Sequence, residues 1–283
     1  MSTEARQGRA STLALLGSQI AYQNRVFRRT PIAAFFTLVF PLMLLVIFAA
    51  IFSGQEVDVG TGGSIDIAQF YAPSLAAFAA ASATYTNLAV GVCISRDDGV
   101  LKRVRGTPLP PWIYMGGQVG SGVLIAAVAV TIMMFVGALF YGVEIRPEAI
   151  PAAILAFVVG VAAFAALGLA VAALTPTGSA APAVANATLL PLAFISNVFI
   201  PLEDPPAWLS TLGDIFPLKP FVTAFSEPFS PFSTGAAIEW RDLAVLTAWG
   251  IAGVIVALRY FRWEPRPGAR GRRAGRRRGQ SSP

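Results

Sequence analysis

Six long apolar stretches alternate with short polar connections along this chain: Ile32–Ser53, Tyr71–Ile94, Trp112–Val143, Ile150–Leu174, Ala180–Ile200 and Leu243–Phe261. A bilayer core about 30 Å thick is crossed by roughly 20 residues of helix, and each stretch is long enough. The first five carry no Lys, Arg, Asp or Glu away from their ends. A charge at mid-membrane would cost about 2.5–3.5 kcal/mol on insertion scales. The pattern predicts an all-α integral membrane protein with six transmembrane helices. The expected organisation is a cytosolic N-terminus with an interfacial helix (residues 1–30), a six-span domain (31–263) and a basic, disordered tail (264–283).

Shorter elements flank these runs. Ser11–Arg29 is too polar to cross, yet Leu13, Leu16, Ile20 and Phe27 fall near one helical face, as in a helix lying along the headgroups. A signal peptide is the alternative reading, but Gln and Asn interrupt the apolar run and no small-residue cleavage site follows. Pro41 in the first run, and Pro182 and Pro191 in the fifth, predict kinks. Gly116 and Gly120 form a small-xxx-small pair suited to close helix contact. The connection from Pro201 to Trp240 has seven Pro before Trp240, yet also Trp208, Leu209, Leu212, Ile215, Phe216, Phe221 and Phe225. Short re-entrant helices dipping into the outer leaflet would account for that composition. A simple lid on the bundle is the other reading.

Composition agrees with the membrane frame. Hydrophobic residues make up 55% and charged residues 13% of the chain, against about 25% charged in ordinary soluble domains. There is no His and one Cys, Cys93, which removes His acid–base chemistry, His metal ligation and any internal disulfide. Charge placement sets the topology. With both termini inside, eighteen Lys and Arg flank the spans on the cytosolic face and three, Arg146, Lys219 and Arg241, lie outside. That asymmetry follows the positive-inside rule and places both termini in the cytoplasm.

One densely charged island separates the second and third runs: Ser95–Pro110, SRDDGVLKRVRGTPLP. Gly99 and Pro108 bracket a segment able to form a short helix bearing Lys102, Arg103 and Arg105, with Asp97 and Asp98 near its positive end. Such a helix on a short tether could dock a soluble partner. The charges could equally serve only to hold the loop inside.

The run Arg96-Asp97-x-Gly99-x-Leu101-Lys102-Arg103-x-Arg105-x-Thr107-Pro108-Leu109 resembles the signature R-E-x-G-T-L-K-R-L-R-x-T-P-L of ABC-2 type transporter permeases. Asp97 stands where Glu is usual, Val100 replaces Thr and Val104 replaces Leu. The segment Ser196-Asn197-Val198-Phe199-Ile200-Pro201 … Pro206-x-Trp208-Leu209 … Pro217-Leu218 is similar to the family layout, with Asn197 where Gly is frequent. The resemblance implies a membrane permease subunit that pairs with a second permease subunit, identical or not, and with nucleotide-binding ATPase subunits. It also implies that the loop contacts the ATPase through Arg96, Asp97, Asp98, Gly99, Lys102, Arg103, Arg105, Thr107 and Pro108, and that transport is outward across the plasma membrane. No G-x-x-x-x-G-K-[ST] phosphate loop occurs in the chain. ATP and Mg are therefore expected on the partner, with no cofactor on this chain and no enzyme activity of its own.

Polar residues inside the runs, Thr84, Asn87, Asn186 and Asn197, are candidates for a substrate pathway, or for helix–helix hydrogen bonds. Asn186, Ala193 and Asn197 are spaced to share one face of the fifth helix. Without mid-membrane charges, an amphipathic or hydrophobic cargo (a drug or lipid) suits the lining better than an ion. Other readings are a polysaccharide or lipid-linked glycan exporter, an intramembrane enzyme, or an ATP-independent channel or scaffold. The tail Arg266–Pro283 holds seven Arg and no aromatic residue. Attraction to anionic membrane lipid accounts for it, and nucleic-acid binding is not expected.

Overall fold

The computed structural model describes residues 11–52, 54–58, 63–107, 109–201, 205–233 and 237–261. The basic tail expected over 264–283 lies outside the described residues. Among the described residues five helices are long and apolar enough to cross a membrane: Pro31–Ile51, Ile67–Asp97, Pro111–Tyr141, Pro147–Leu174 and Trp240–Tyr260, here the first, second, third, fourth and last spans. The fifth run forms a shorter helix, Ala181–Phe194. Its 14 residues rise about 21 Å, short of a 30 Å core. Of the six transmembrane helices the pattern predicts, five have spanning length among the described residues.

The second span is the axis of the bundle. Alanines and serines fill much of its middle, and Ala72, Leu75, Ala76, Ala77, Ala80, Ala81 and Ala83 are wholly buried. Small side chains let neighbouring backbones close in, and glycines on the partners complete the contact. A Cβ at Gly137 of the third span would lie 2.9 Å from Ala72 Cβ, and one at Gly168 of the fourth span 2.6 Å from the Tyr85 carbonyl oxygen. The last span repeats the device on the fourth, where a Cβ at Gly253 would meet the Ala166 and Leu167 backbone at 2.9 Å.

The N-terminal helix, Thr12–Arg28, starts at Ser11, whose hydroxyl accepts the Ala14 N–H at 3.2 Å. This is ordinary N-capping chemistry. The helix packs on the Gly116–Gly120 stripe of the third span: Leu16 meets Gly116, Gln19 meets Gly117 and Ile20 meets Gly120. Leu13, expected on the same face, is 79% exposed. In the first span Pro41 cannot donate to the carbonyl four residues back. The chain absorbs the lost bond in a wider π-helical turn over Phe35–Val39. Pro182 sits in the first turn of its helix, where a missing N–H costs nothing.

The end of the bundle away from the charged loop carries two further sets of elements. Residues Glu56–Asp58 and Ser64–Asp66 form an antiparallel hairpin that the apolar pattern does not predict. Ala207–Ile215 and Leu218–Ser226 are short helices, as the composition of that connection led one to expect. The second of them enters the bundle. Phe221 fits over Gly160, where a Cβ would lie 2.2 Å from the ring, and its ring lies 5.7 Å from Phe164. Those contacts sit roughly 15–20 Å along the fourth span from Ile150. Arg146, Lys219 and Arg241, the three cations expected outside, are each locally bonded. Arg146 donates to the carbonyls of Pro228, Ser230 and Ser233, while Lys219 and Arg241 lie 2.7 and 3.7 Å from Asp214 oxygens.

Candidate functional site

The charged island begins inside a helix. The second span continues through Ser95, Arg96 and Asp97, and stops where Gly99 adopts a left-handed φ of +70°. Glycine takes that conformation without Cβ strain. Val100–Arg105 then forms a short helix ending at Gly106. Leu101 is fully buried and pins this helix against the second and third spans. Thr107 closes it, donating its hydroxyl to the Val104 carbonyl at 2.7 Å and accepting the Leu109 N–H at 3.4 Å.

The charges divide into two sets. Arg96 is 3% exposed and donates to Ala172 O at 3.0 Å and Thr175 O at 2.8 Å. The physical reason lies in the fourth span: Pro176 has no N–H, so the Ala172 carbonyl loses its helical donor. A guanidinium at a helix C-terminus also meets the negative end of the dipole. Asp97 accepts the Gly178 N–H at 2.6 Å and faces Arg96 Nε at 3.6 Å. Cys93 adds a weak donor to Ala172 O at 3.5 Å. Together these groups clamp the turn between the fourth and fifth helices onto the end of the second span. Close approach demands glycine there, because a Cβ at Gly178 would lie 3.1 Å from Ile94 Cα.

The second set is on the surface. Asp98, Lys102, Arg103 and Thr107 are exposed. Pro108 and the side chain of Arg105 lie outside the described residues.

The four intramembrane polar candidates do not meet. Thr84 is wholly buried and donates to its own helix, to Ala80 O at 2.9 Å and Ala81 O at 3.2 Å. Asn87 donates to Ala83 O at 3.0 Å and Thr37 at 3.4 Å, and lines a cavity of about 250 Å³ beside the N-terminal helix. Asn186 is exposed on the fifth helix. Asn197 does not share its face, because that helix ends at Phe194 and Asn197 has φ +54°. Among non-glycine residues Asn tolerates the left-handed region best, so it serves at a turn that glycine also suits. Gln23, Gln118 and Ser121, lining the same cavity as Asn87, were not among the expected residues. Their signal was two amides and a hydroxyl within helical segments, which periodicity scores only as interruptions.

The family model described as ABC-2 type transporter matches residues 15–229. The chain is 26% identical over 271 residues to the daunorubicin resistance ABC transporter permease protein DrrB1 of Streptomyces coeruleorubidus, covering 91% of this chain and 89% of that one. It is 23% identical over 179 residues to the putative transport permease YvfS of Bacillus subtilis (strain 168), covering 63% and 71%. The family match runs from within the N-terminal helix to the turn after Leu218–Ser226, and so takes in the clamp, the basic helix and four of the five long spans. This multi-pass membrane protein belongs to the ABC-2 type transporter family.

Proposed function

We propose that this chain is the permease subunit of an ATP-driven exporter. It works with a second permease subunit and takes its drive from a separate nucleotide-binding ATPase that holds ATP and Mg. The observation that carries the coupling is the division of charges in Ser95–Pro110. Lys102 and Arg103 present cations to the cytosol from a helix whose root is bonded, through Arg96 and Asp97, to the turn between the fourth and fifth helices. Force on the short helix is thereby applied to two other transmembrane elements. The cargo is an amphipathic or hydrophobic compound, supported by the apolar interior and by similarity to a permease named for daunorubicin resistance.

The double variant Lys102→Glu/Arg103→Glu is expected to fold normally and to uncouple. Exposed charges away from a network contribute little to stability. ATP hydrolysis by the purified complex should no longer respond to cargo, and vesicle export should fall at least tenfold. Full coupled export by that variant would remove this helix from the transmission path.

The same reading places the basic helix in the cytoplasm and the hairpin outside, in the plasma membrane. On this view the fifth helix, with the turn through Ile200, completes a sixth crossing, and the N-terminal helix lies at the inner interface. In a Cys93→Ser background, Asp98→Cys should label with impermeant maleimide only in inside-out vesicles, and Glu148→Cys only in right-side-out ones. Labelling of both from one side would overturn the topology.

A further inference from the structure

The cavity of about 250 Å³ lies between the N-terminal helix and the first, second and third spans. Val26, Phe27, Val90, Ile94 and Ile125 give it apolar walls, and Gln23, Asn87 and Gln118 bring side-chain amides. Not one lining residue is charged. Two of these amides are already engaged: Asn87 with Ala83 and Thr37, Gln118 with the Tyr114 hydroxyl at 3.2 Å. Gln23 is different. It is 8% exposed, and its Nε2 is buried with no hydrogen-bond partner. A buried amide donor left unpaired is costly, so a group that completes it is favoured there. Neighbouring Asn24 is satisfied by the Ser121 hydroxyl at 2.7 Å, which holds this part of the helix against the third span.

We propose that this cavity is a binding site for an uncharged amphiphile carrying a carbonyl or hydroxyl group, whose oxygen accepts from Gln23 while its apolar body packs on Phe27, Ile94 and Ile125. An ionised head is disfavoured, since the lining offers no counter-charge and burial of an unpaired ion is costly. The volume accommodates a one- or two-ring head. Naming the occupant a cargo rests on the export reading above; the binding does not.

The test uses an uncharged alkyl benzophenone, whose ketone is both the hydrogen-bond acceptor and a photo-crosslinking group. The assembled permease–ATPase complex in lipid nanodiscs is irradiated with it, and modified peptides are mapped by mass spectrometry. Wild-type protein is expected to be modified mainly within residues 23–33, 87–95 and 118–125. Gln23→Leu, which keeps the bulk and removes the amide, should lower that yield about fivefold or more. Gly91→Leu should lower it by filling space, since a Cβ at Gly91 meets only Gln118 Oε1, at 3.7 Å. An unchanged thermal midpoint in either variant separates loss of the site from loss of the fold. Crosslinks spread over the exposed helix faces, undiminished in both variants, would overturn the proposal. Site-specific crosslinking by a complex that exports nothing would uphold the site and overturn the transport reading instead.

Discussion

Arg96→Ala is expected to destabilise the charged-loop end of the bundle by about 3 kcal/mol or more, the scale found when one partner of a buried charged network is removed. The Thr175 carbonyl loses its side-chain donor, the Ala172 carbonyl keeps only the weak Cys93 thiol, and Asp97 loses its counter-charge. Neither carbonyl has a replacement from its own helix, because Pro176 interrupts the ladder at Ala172 and the helix ends at Leu174. Cys93 provides a built-in reporter. It is fully buried beside Ala172 and is expected to resist alkylation by maleimide in the native protein. Alkylation should become fast in Arg96→Ala, with a lowered thermal midpoint. Arg96→Lys should fall between, since an ammonium lacks the planar fork that reaches both carbonyls. The Lys102→Glu/Arg103→Glu variant should leave Cys93 as unreactive as in the native chain. If Arg96→Ala keeps both the native midpoint and a protected thiol, the clamp does not hold these helices together.

Gly168→Val is expected to be comparably severe, and for a different reason. Even the Cβ would lie 2.6 Å from the Tyr85 carbonyl oxygen and 3.1 Å from Tyr85 Cα, both backbone atoms that no rotamer change can move. The second and fourth spans would have to separate. Overpacking of this kind costs about 1–3 kcal/mol and sometimes more. The damage would spread, because the Tyr85 hydroxyl is bonded to Thr188 of the fifth helix at 2.6 Å. A lower thermal midpoint and reduced recovery of monodisperse protein are the expected readouts. Gly17→Ala is the contrast: nothing lies within 4 Å of its Cβ position. Its helix should gain up to about 1 kcal/mol from the better propensity of alanine. Equal effects from the two substitutions would mean that the close approach at Gly168 is not what sets the helix spacing.

These two positions also show what could be read in advance. Apolar runs locate helices because the cost of a charge or an open backbone group in lipid is large and local. The fourth run matched its helix to the residue, at Ile150–Leu174, while the second proved longer and the fifth shorter than their apolar limits. Helix length is decided by the last hydrogen bond made, and Arg96 and Asp97 are helical because they have partners on another element. Hydropathy scores those two residues as loop. The same blindness explains the clamp. Arg96, Asp97, Lys102 and Arg103 look alike as charges in one short stretch, yet the first two are tied to carbonyl and amide groups some eighty residues away. The Gly116–Gly120 pair was legible as a contact, but not that the N-terminal helix fills it.

By itself the sequence determined that the chain crosses a membrane several times and that its charged stretch bears the mark of a permease family. Each of these rests on composition or local order, where single residues contribute free energies large enough to dominate. Only the tertiary structure decided which charges are exposed and which are spent inside. It likewise decided that Phe221 reaches the middle of the bundle, and that Gln23 closes a cavity without a partner. Those outcomes depend on distances between residues far apart in the chain, set by where small side chains allow two backbones to meet.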